Sequence, residues 1–418
     1  MALSWPLLKT QLKTGEWLTI ERLRSYSLIM LALCTIACVA WIALSHGVID
    51  PSGRPIGTDF SSFYAAGSLV LDGRAADVYD MAIHHAREQQ IFGAETSYYA
   101  WFYPPIFLLI AAPLAVLPYS IALAVWQGST LLLYLFVIGT IVRVERNRHI
   151  MSGYGWILIA LAFPAVFVNL GHGQNGFLTS ALLGGALIAM PRHQVLSGIL
   201  FGLLAYKPQF ALVIPIALLA ASQWRVVLSA SLTVVLLVGM TTFLFGVDAW
   251  LGFLTSTEMS RTMLLEQGDV GFEKLQSVFA AIRLVGGSVS LAYTLQTTIS
   301  VLVVCTVAWT WRLKIDDAQK ATILAIATLL ASPHVLDYDL VTLGVAIAFF
   351  VRHGFDRGFR NYEITLLAAV WIVPLIARAV AGMTSVPVGL IAMSAFYLIT
   401  LRRALSEASL SAEPVAQA

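Results

Sequence analysis

Long uninterrupted runs of apolar residues constrain this chain more than any other feature. The first covers 26–45, and the others lie near 104–141, 154–170, 175–190, 195–206, 209–222, 226–246, 288–311, 321–332, 337–351, 363–381 and 386–401. Roughly 20 apolar residues cross a bilayer as a helix. Hydrophobic residues make up 59% of 418 positions and charged residues 11%, which excludes an ordinary soluble enzyme. The sequence predicts an all-α, polytopic integral membrane protein with about 12 transmembrane helices.

Charge and cysteine content exclude other classes of protein. The net charge is +2, from 25 Lys and Arg against 23 Asp and Glu, which is too small and too dispersed for nucleic-acid binding. Cys34, Cys38 and Cys305 lie within apolar runs, so neither a disulfide framework nor a thiolate metal site is expected. The chain also lacks a Walker loop, which argues against a nucleotide-driven cytosolic enzyme.

The positions of the cations predict the orientation of the chain. Residues 1–25 carry four Lys and Arg residues, which suits either a helix on the cytoplasmic membrane surface or a plain basic tail. The run 26–45 lacks a small-residue cleavage site and is interpreted as an uncleaved first span. Most Lys and Arg residues, including Arg146 and Arg148, then fall inside, so the N-terminus is predicted to be cytoplasmic.

The run 104–141 is interpreted as one span preceded by a half-helix. Two crossings broken at Pro118 are the alternative, but one crossing keeps the Arg-rich segment 143–148 inside. The main membrane domain is predicted over 26–403, followed by a loose cytoplasmic tail at 404–418.

Two long loops fall on the predicted outer side. The loop 46–103 contains amphipathic stretches at 60–72 and 77–92, and the loop 247–287 carries similar helical patches. In the first stretch, apolar residues repeat at the spacing of a helix packed against membrane or protein. The residues with this spacing are Phe60, Phe63, Tyr64, Gly67 and Leu71.

Polar and aromatic residues at the outer helix ends are candidates for chemistry, because polar groups are costly within a membrane and often mark a site. Asp59 opens the aromatic-striped helix and suits either a general base or an ordinary N-cap. The aromatic run ending at Tyr103 suits either the membrane interface or the wall of a sugar or lipid cleft.

Two further breaks between apolar runs carry polar side chains. His172, Gln174 and Asn175 offer more hydrogen-bonding capacity than a short turn requires. Lys207 and His334 either fulfil local roles, by snorkelling or by bonding a carbonyl, or together bind a phosphate.

The pair Asp337 and Asp339 face different directions on a helix, because they are two residues apart. One is expected to pair with Lys207 or Arg87, and the other to cap the following helix. A metal site built on this pair and His334 is disfavoured, because no further ligand clusters nearby in the sequence.

At these residues the sequence resembles the polyprenyl-phosphate-sugar-dependent glycosyltransferases of family 87, which include mycobacterial mannosyltransferases acting on phosphatidylinositol mannosides. The likeness runs from about Asp59 to Asp339. It rests on the order and spacing of Thr58-Asp59-Phe60, Leu71-Asp72-Gly73, Val78-Tyr79-Asp80, Tyr103-Pro104-Pro105, Gly173-Gln174-Asn175, Lys207-Pro208-Gln209, Gln223-Trp224-Arg225 and Ser332-Pro333-His334.

The resemblance implies a GT-C-type bundle whose outward cleft is roofed by the first outer loop, in a bacterial inner (plasma) membrane. It implies an inverting transfer of a hexose, with mannose expected, from a polyprenyl-phosphate-linked donor to a lipid or glycan acceptor. By the match of its motif, Asp59 is the implied general base. Neither a cofactor nor a metal is assigned.

The combined hypothesis gives the other candidate residues their roles. The donor phosphate is expected to contact Lys207, His334 and Arg87. Other substrate contacts are expected from Tyr64, Tyr103, Gln174, Asn175, Asp337 and Asp339.

Two alternatives from other classes stay open on the sequence. A secondary transporter also has many helices and proline-broken segments, but it is expected to show internal repeats, which this chain lacks, and seldom needs so long a first outer loop. A non-catalytic membrane scaffold would leave Asp59, Gln174 and Lys207 without a role.

Overall fold

The computed structural model describes residues 5–143 and 155–412. The predicted inner positions of Arg146 and Arg148, the first four residues and the end of the tail at 413–418 lie outside the described residues. In chain order the α-helices are α1 (Trp5–Thr14), α2 (Ile20–Ala43), α3 (Thr58–Leu71), α4 (Met81–Phe92), α5 (Leu108–Ala115), α6 (Tyr119–Arg143), α7 (Gly155–Leu161), α8 (Pro164–His172), α9 (Gly176–Ala189), α10 (Gln194–Leu203), α11 (Ile214–Ala220), α12 (Trp224–Phe245), α13 (Val247–Ser260), α14 (Val278–Leu284), α15 (Val289–Arg312), α16 (Asp317–Leu330), α17 (Leu343–Arg357), α18 (Glu363–Thr384) and α19 (Val388–Ala412).

The protein is an all-α, multi-pass membrane protein by the length and composition of its helices. Among the described residues, seven helical segments are long and apolar enough to cross a bilayer, and the bent pair α7 and α8 makes an eighth if it counts as one span. The seven are Ile20–Ala43, Tyr119–Arg143, Trp224–Phe245, Val289–Arg312, Asp337–Arg357, Glu363–Thr384 and Val388–Leu410. The two halves of the bent pair meet at 53°.

The predicted number of about 12 spans is therefore not supported. The runs 175–190, 195–206, 209–222 and 321–332 form short helices instead. At about 1.5 Å per residue, the 14 residues of α9 or α16 reach only about 21 Å, less than the roughly 30 Å of hydrocarbon in a bilayer. These runs are apolar because they are buried in protein: residues 321–330 of α16 are all buried.

The run 104–141 forms a short helix, α5, followed by the long helix α6. The two are separated at residues 116–118, which include Pro118. This is the predicted arrangement of one span after a half-helix.

The first outer loop folds into the two predicted helices and packs against protein. The helix α3 lies so close to α5 that a Cβ atom on Gly67 would come within 2.1 Å of the Ala111 carbonyl oxygen. Phe60 and Phe63 are buried, whereas Tyr64 is half-buried and Leu71 is exposed. The stripe of aromatic residues therefore anchors α3 and leaves its first turn at the edge of a cavity.

The second outer loop also folds as predicted into helical patches. It contains α13, a π-helical turn at Arg261–Gln267 and α14. The backbone N–H of Gln276 donates to the Val335 carbonyl at 2.7 Å, and Leu275 forms a β-bridge with Leu336. These contacts hold the loop against the connector between α16 and α17.

Two expectations for the chain ends have different outcomes. The N-terminal segment contains a helix, α1, and its Lys13 carbonyl accepts a hydrogen bond from the Tyr362 N–H at 2.8 Å. The loose tail expected from residue 404 is wrong as far as Ala412, because α19 continues to that residue. Buried Arg403 pairs there with buried Glu363, which favours continued helix over a free tail.

Candidate active site

One cavity of about 960 Å³ collects most of the predicted site residues. Its walls come from the start of α3, the segment before α5, the turn between α8 and α9, the Lys207 turn, the second outer loop, the connector after α16, and α18. Its volume lies within the range of small-molecule sites.

Asp59 lies in the first turn of α3 and lines this cavity. The N-cap of α3 is Gly57, which has a φ of 71° and makes no side-chain capping bond. A left-handed φ favours glycine, so the helix starts without help from an acidic cap. The N-cap interpretation of Asp59 is therefore wrong, and its carboxylate is left available to the cavity.

Gln174 holds one oxygen of that carboxylate. Its Nε2 donates to Asp59 Oδ2 at 2.9 Å. Its Oε1 accepts from the Tyr103 hydroxyl at 3.1 Å and from the Asn175 N–H at 3.0 Å. Because two donors converge on Oε1, the amide must present its N–H to Asp59. Gln174 therefore links the Asp59 carboxylate to Tyr103 and to the turn at Asn175.

The turn that carries Gln174 needs glycine at position 173. Gly173 has a φ of 66°, and a Cβ atom there would lie 2.6 Å from the Cβ of Phe60. A side chain would therefore push α3 away from the turn and separate Gln174 from Asp59.

His172 joins Asp59 to the connector after α16. Its Nδ1 lies 3.0 Å from the Thr58 hydroxyl oxygen and 3.9 Å from Asp59 Oδ1, and its Nε2 lies 4.0 Å from Asp337 Oδ1. The sequence indicated the hydrogen-bonding capacity of His172 but gave it no role.

Lys207 forms a buried ion pair with Asp339. The residues are 2% and 3% exposed, and Asp339 also accepts from the Leu336 N–H at 3.2 Å. The predicted pairing of one of the two aspartates with Lys207 is confirmed. The positive charge of Lys207 is therefore already compensated.

His334 lines the cavity from the connector after α16. Burial lowers its pKa to about 4, because the charged imidazolium loses its hydration. At neutral pH the ring is uncharged, so it can donate or accept a hydrogen bond but cannot act as a cation.

Four predicted residues do not line the cavity. Tyr64 donates its hydroxyl to the Leu117 carbonyl at 2.8 Å, and Asn175 is fully buried. Asp337 is buried, lies 4.0 Å from His172 Nε2, and attracts Lys274 and Arg378 at longer range. Arg87 pairs with Asp72 and contacts Ser68, so the structure does not bring it to the other proposed phosphate contacts.

The structure adds charged residues that the sequence analysis missed, chiefly Lys274 and Arg378. Arg378 had a detectable signal, since an arginine inside an apolar span is a functional candidate. Lys274 had none, because its place depends on how the second outer loop docks. The remaining additions are Arg54, Asp269 and Glu273.

Within residues 5–143 and 155–412, no three His, Cys, Asp or Glu side chains come together as a metal-binding group.

The model of glycosyltransferase family 87 matches residues 101–333, more than half of the chain. The chain belongs to glycosyltransferase family 87. Comparison with curated proteins and with solved structures finds no match. The matched region contains Tyr103, Gln174 and Lys207, while Asp59 and His334 lie outside it. The protein is thus a membrane glycosyltransferase that acts on a sugar donor and an acceptor, and this displaces the transporter and scaffold alternatives.

Proposed function

We propose that this family 87 glycosyltransferase transfers a hexose, with mannose the expected sugar, from a polyprenyl-phosphate-linked donor to a lipid or glycan acceptor. The transfer takes place on the extracytoplasmic side of a bacterial inner membrane. The observation that carries the proposal is the Asp59 carboxylate at the cavity, oriented by the amide of Gln174.

Asp59 acts as the general base in this proposal. Its Oδ2 accepts the Gln174 N–H, whereas Oδ1 accepts a longer bond from the Thr58 hydroxyl at 3.4 Å and lies 3.9 Å from His172 Nδ1. Oδ1 therefore accepts the proton of the acceptor hydroxyl. The acceptor oxygen bonds to the anomeric carbon as the bond from that carbon to the phosphate oxygen breaks, and the electron pair leaves with polyprenyl phosphate. A single displacement inverts the anomeric centre.

His334 and Lys207 are the proposed contacts of the donor phosphate. The neutral imidazole donates one hydrogen bond, and Lys207 retains N–H groups beyond the one that faces Asp339. Hydrogen bonds of this kind stabilise the negative charge that develops on the departing phosphate. Arg87 does not belong to this set of phosphate contacts, because its guanidinium group forms an ion pair with Asp72. Tyr103 and Gln174 complete the wall beside the sugar.

The test is a donor panel with the purified full chain and a membrane-lipid extract. We expect labelled sugar to be transferred from polyprenyl-phosphate sugars but not from nucleotide sugars, and the product to have the anomeric configuration opposite to that of the donor. Transfer from nucleotide sugars alone, or retention of configuration, would contradict the proposal. A parallel reaction with EDTA tests for a divalent metal requirement.

A further inference from the structure

We propose that Lys274 and Arg378 form an anion subsite in this cavity, which takes a phosphate ester group of a bound substrate. Both side chains line the cavity that contains Asp59, and nothing in the family match assigns them a role. The inference rests on the proposed function, in which the donor carries a phosphate.

Lys274 is held in place by the docking of the second outer loop. The next two residues pair with the connector after α16, through the Leu275–Leu336 bridge and the bond from the Gln276 N–H to the Val335 carbonyl. The preceding residue, Glu273, lies against α18, since a Cβ atom on Gly382 would be 3.7 Å from the Glu273 Cγ. The backbone on both sides of Lys274 is thus anchored beside α18.

Arg378 lies one helical turn before Gly382 in the same helix. The rest of α18 between Ile364 and Thr384 carries no charged residue. A charge within an apolar span is costly unless it faces water, a partner or a ligand. Because Arg378 faces the cavity, the cost of placing it there is offset if an anion binds.

Neither cation forms a direct ion pair in the part of the chain that the structure describes, although the Asp337 carboxylate attracts both at longer range. Every ion pair found there involves other side chains, and the cavity cation with a direct carboxylate partner is Lys207. Burial, together with the positive charge of Arg378, lowers the pKa of Lys274. Lys274 is half-buried and Arg378 is exposed at the cavity. Two like charges that repel each other there are stabilised when an anion binds between them.

Phosphate is the anion that suits this pair. Arginine binds phosphate oxygens through two parallel N–H donors, and lysine adds a compact positive charge. The weaker attraction of Lys274 to Asp59 and Asp337 places it near the Asp59 side of the cavity. Such a group is available from the phosphate of the donor or from an anionic head group of the acceptor.

The kinetic test uses the full chain with Lys274→Gln, Arg378→Gln and the charge-conserving Arg378→Lys. Loss of a hydrogen bond to a charged group predicts a rise in one substrate's KM of roughly tenfold or more in each Gln variant, with partial recovery in Arg378→Lys. Arg74→Gln, which removes a cation from the exposed ion pair with Asp77, is the matched control.

The kinetic constant that changes identifies which substrate supplies the phosphate group. If the donor phosphate binds, the donor KM and the inhibition constant of polyprenyl phosphate rise together. If an acceptor head group binds, the acceptor KM rises alone. Folded, active Gln variants whose two KM values and inhibition constant stay within twofold of wild type would overturn the subsite.

A second measurement separates failure of the subsite from failure of the proposed function. We expect inorganic pyrophosphate to raise the melting temperature of the wild type and of Arg74→Gln, and to do so much less in Lys274→Gln and Arg378→Gln. An equal shift in all four proteins would overturn the subsite even if no polyprenyl donor is used. A selective shift without transfer from any polyprenyl donor would retain the subsite and reject the proposed function.

Discussion

The cavity contains two groups of polar residues whose surroundings differ. The Asp59 group comprises Asp59, Gln174, Tyr103, His172 and Thr58, and its carboxylate is held by neutral hydrogen-bond donors. The cation group comprises Lys207, Lys274 and Arg378. Within it Lys207 forms a direct ion pair with a buried carboxylate, whereas Lys274 and Arg378 form no direct ion pair among the described residues.

This difference predicts different consequences of substitution in the two groups. A carboxylate held by an amide keeps a free oxygen and its capacity to accept a proton, so the Asp59 group is suited to reaction. Lys207, with its buried carboxylate partner, also holds two segments together, namely the Lys207 turn and the start of the segment that leads into α17, in addition to the phosphate contact proposed for it. Substitutions in the two groups should therefore affect different properties.

The largest effect is expected from Asp59→Asn, which removes the base but keeps the size of the side chain. We expect turnover to fall by roughly 100-fold to 10,000-fold, because general-base catalysis contributes on that order. Initial rates of sugar transfer measure it, and an unchanged melting temperature shows that folding is intact. Asp77→Asn, in the same outer loop and outside the cavity lining, is the matched control. Near-normal turnover of Asp59→Asn would remove Asp59 from its role.

Breaking the Lys207–Asp339 ion pair should chiefly lower the free energy of unfolding. Lys207→Met leaves Asp339 buried without its partner, and removal of one partner of a buried pair costs about 3–5 kcal/mol. Thermal unfolding in detergent should show a clearly lower melting temperature for Lys207→Met and for Asp339→Asn. The double variant should lose less than the sum of the two, and strict additivity would contradict the pairing.

The buried Glu88 predicts how the stability of the fold depends on pH. Its carboxyl group accepts a hydrogen bond at 3.0 Å from the backbone N–H of Tyr99, which lines the cavity. Burial raises the pKa of Glu88 to about 9, so the folded protein holds a proton that the unfolded chain releases above about 4.5. Its contribution to stability is complete below 4.5 and is lost as pH rises through 9.

The nearby His84 changes stability in the opposite sense but at lower pH. Burial lowers its pKa to about 4 from 6.5, so its contribution is present above 6.5 and is lost as pH falls through 4. Between pH 6.5 and 9 the Glu88 effect is therefore separated from that of His84 and amounts to about 3 kcal/mol. Melting temperatures across that range should fall for the wild type and stay flatter for Glu88→Gln, and parallel slopes would refute this account.

The smallest effect concerns the positioning of the base. Gln174→Leu removes the N–H that holds Asp59 Oδ2, and we expect kcat to fall by roughly tenfold to 100-fold with little change in KM. Tyr103→Phe removes only the bond that orients the amide and should cost less. Steady-state kinetics separate the two constants. If Tyr103→Phe costs more than Gln174→Leu, the hydroxyl acts on the substrate directly.

The parts of the site that the sequence predicted are those with a local signal. Asp59 follows a turn-rich segment at the start of a helix, and Gln174 and Lys207 lie in breaks between apolar runs, where a polar residue is conspicuous. Arg87 has a similar signal as a cation in an outer loop, yet it pairs with Asp72, because α4 turns that side chain towards the end of α3. A local pattern cannot distinguish those two outcomes.

The sequence by itself determined that this chain is an all-α membrane protein and a glycosyltransferase of family 87, because apolar run length and ordered motifs are properties of the chain alone. Only the tertiary structure decided that α9 and α16 are too short to cross the bilayer and pack within the protein, and that Lys274 and Arg378 share a cavity with Asp59. The physical reason is common to both: burial in protein and burial in lipid require the same apolar residues, and contacts between distant segments exist only once the helices pack.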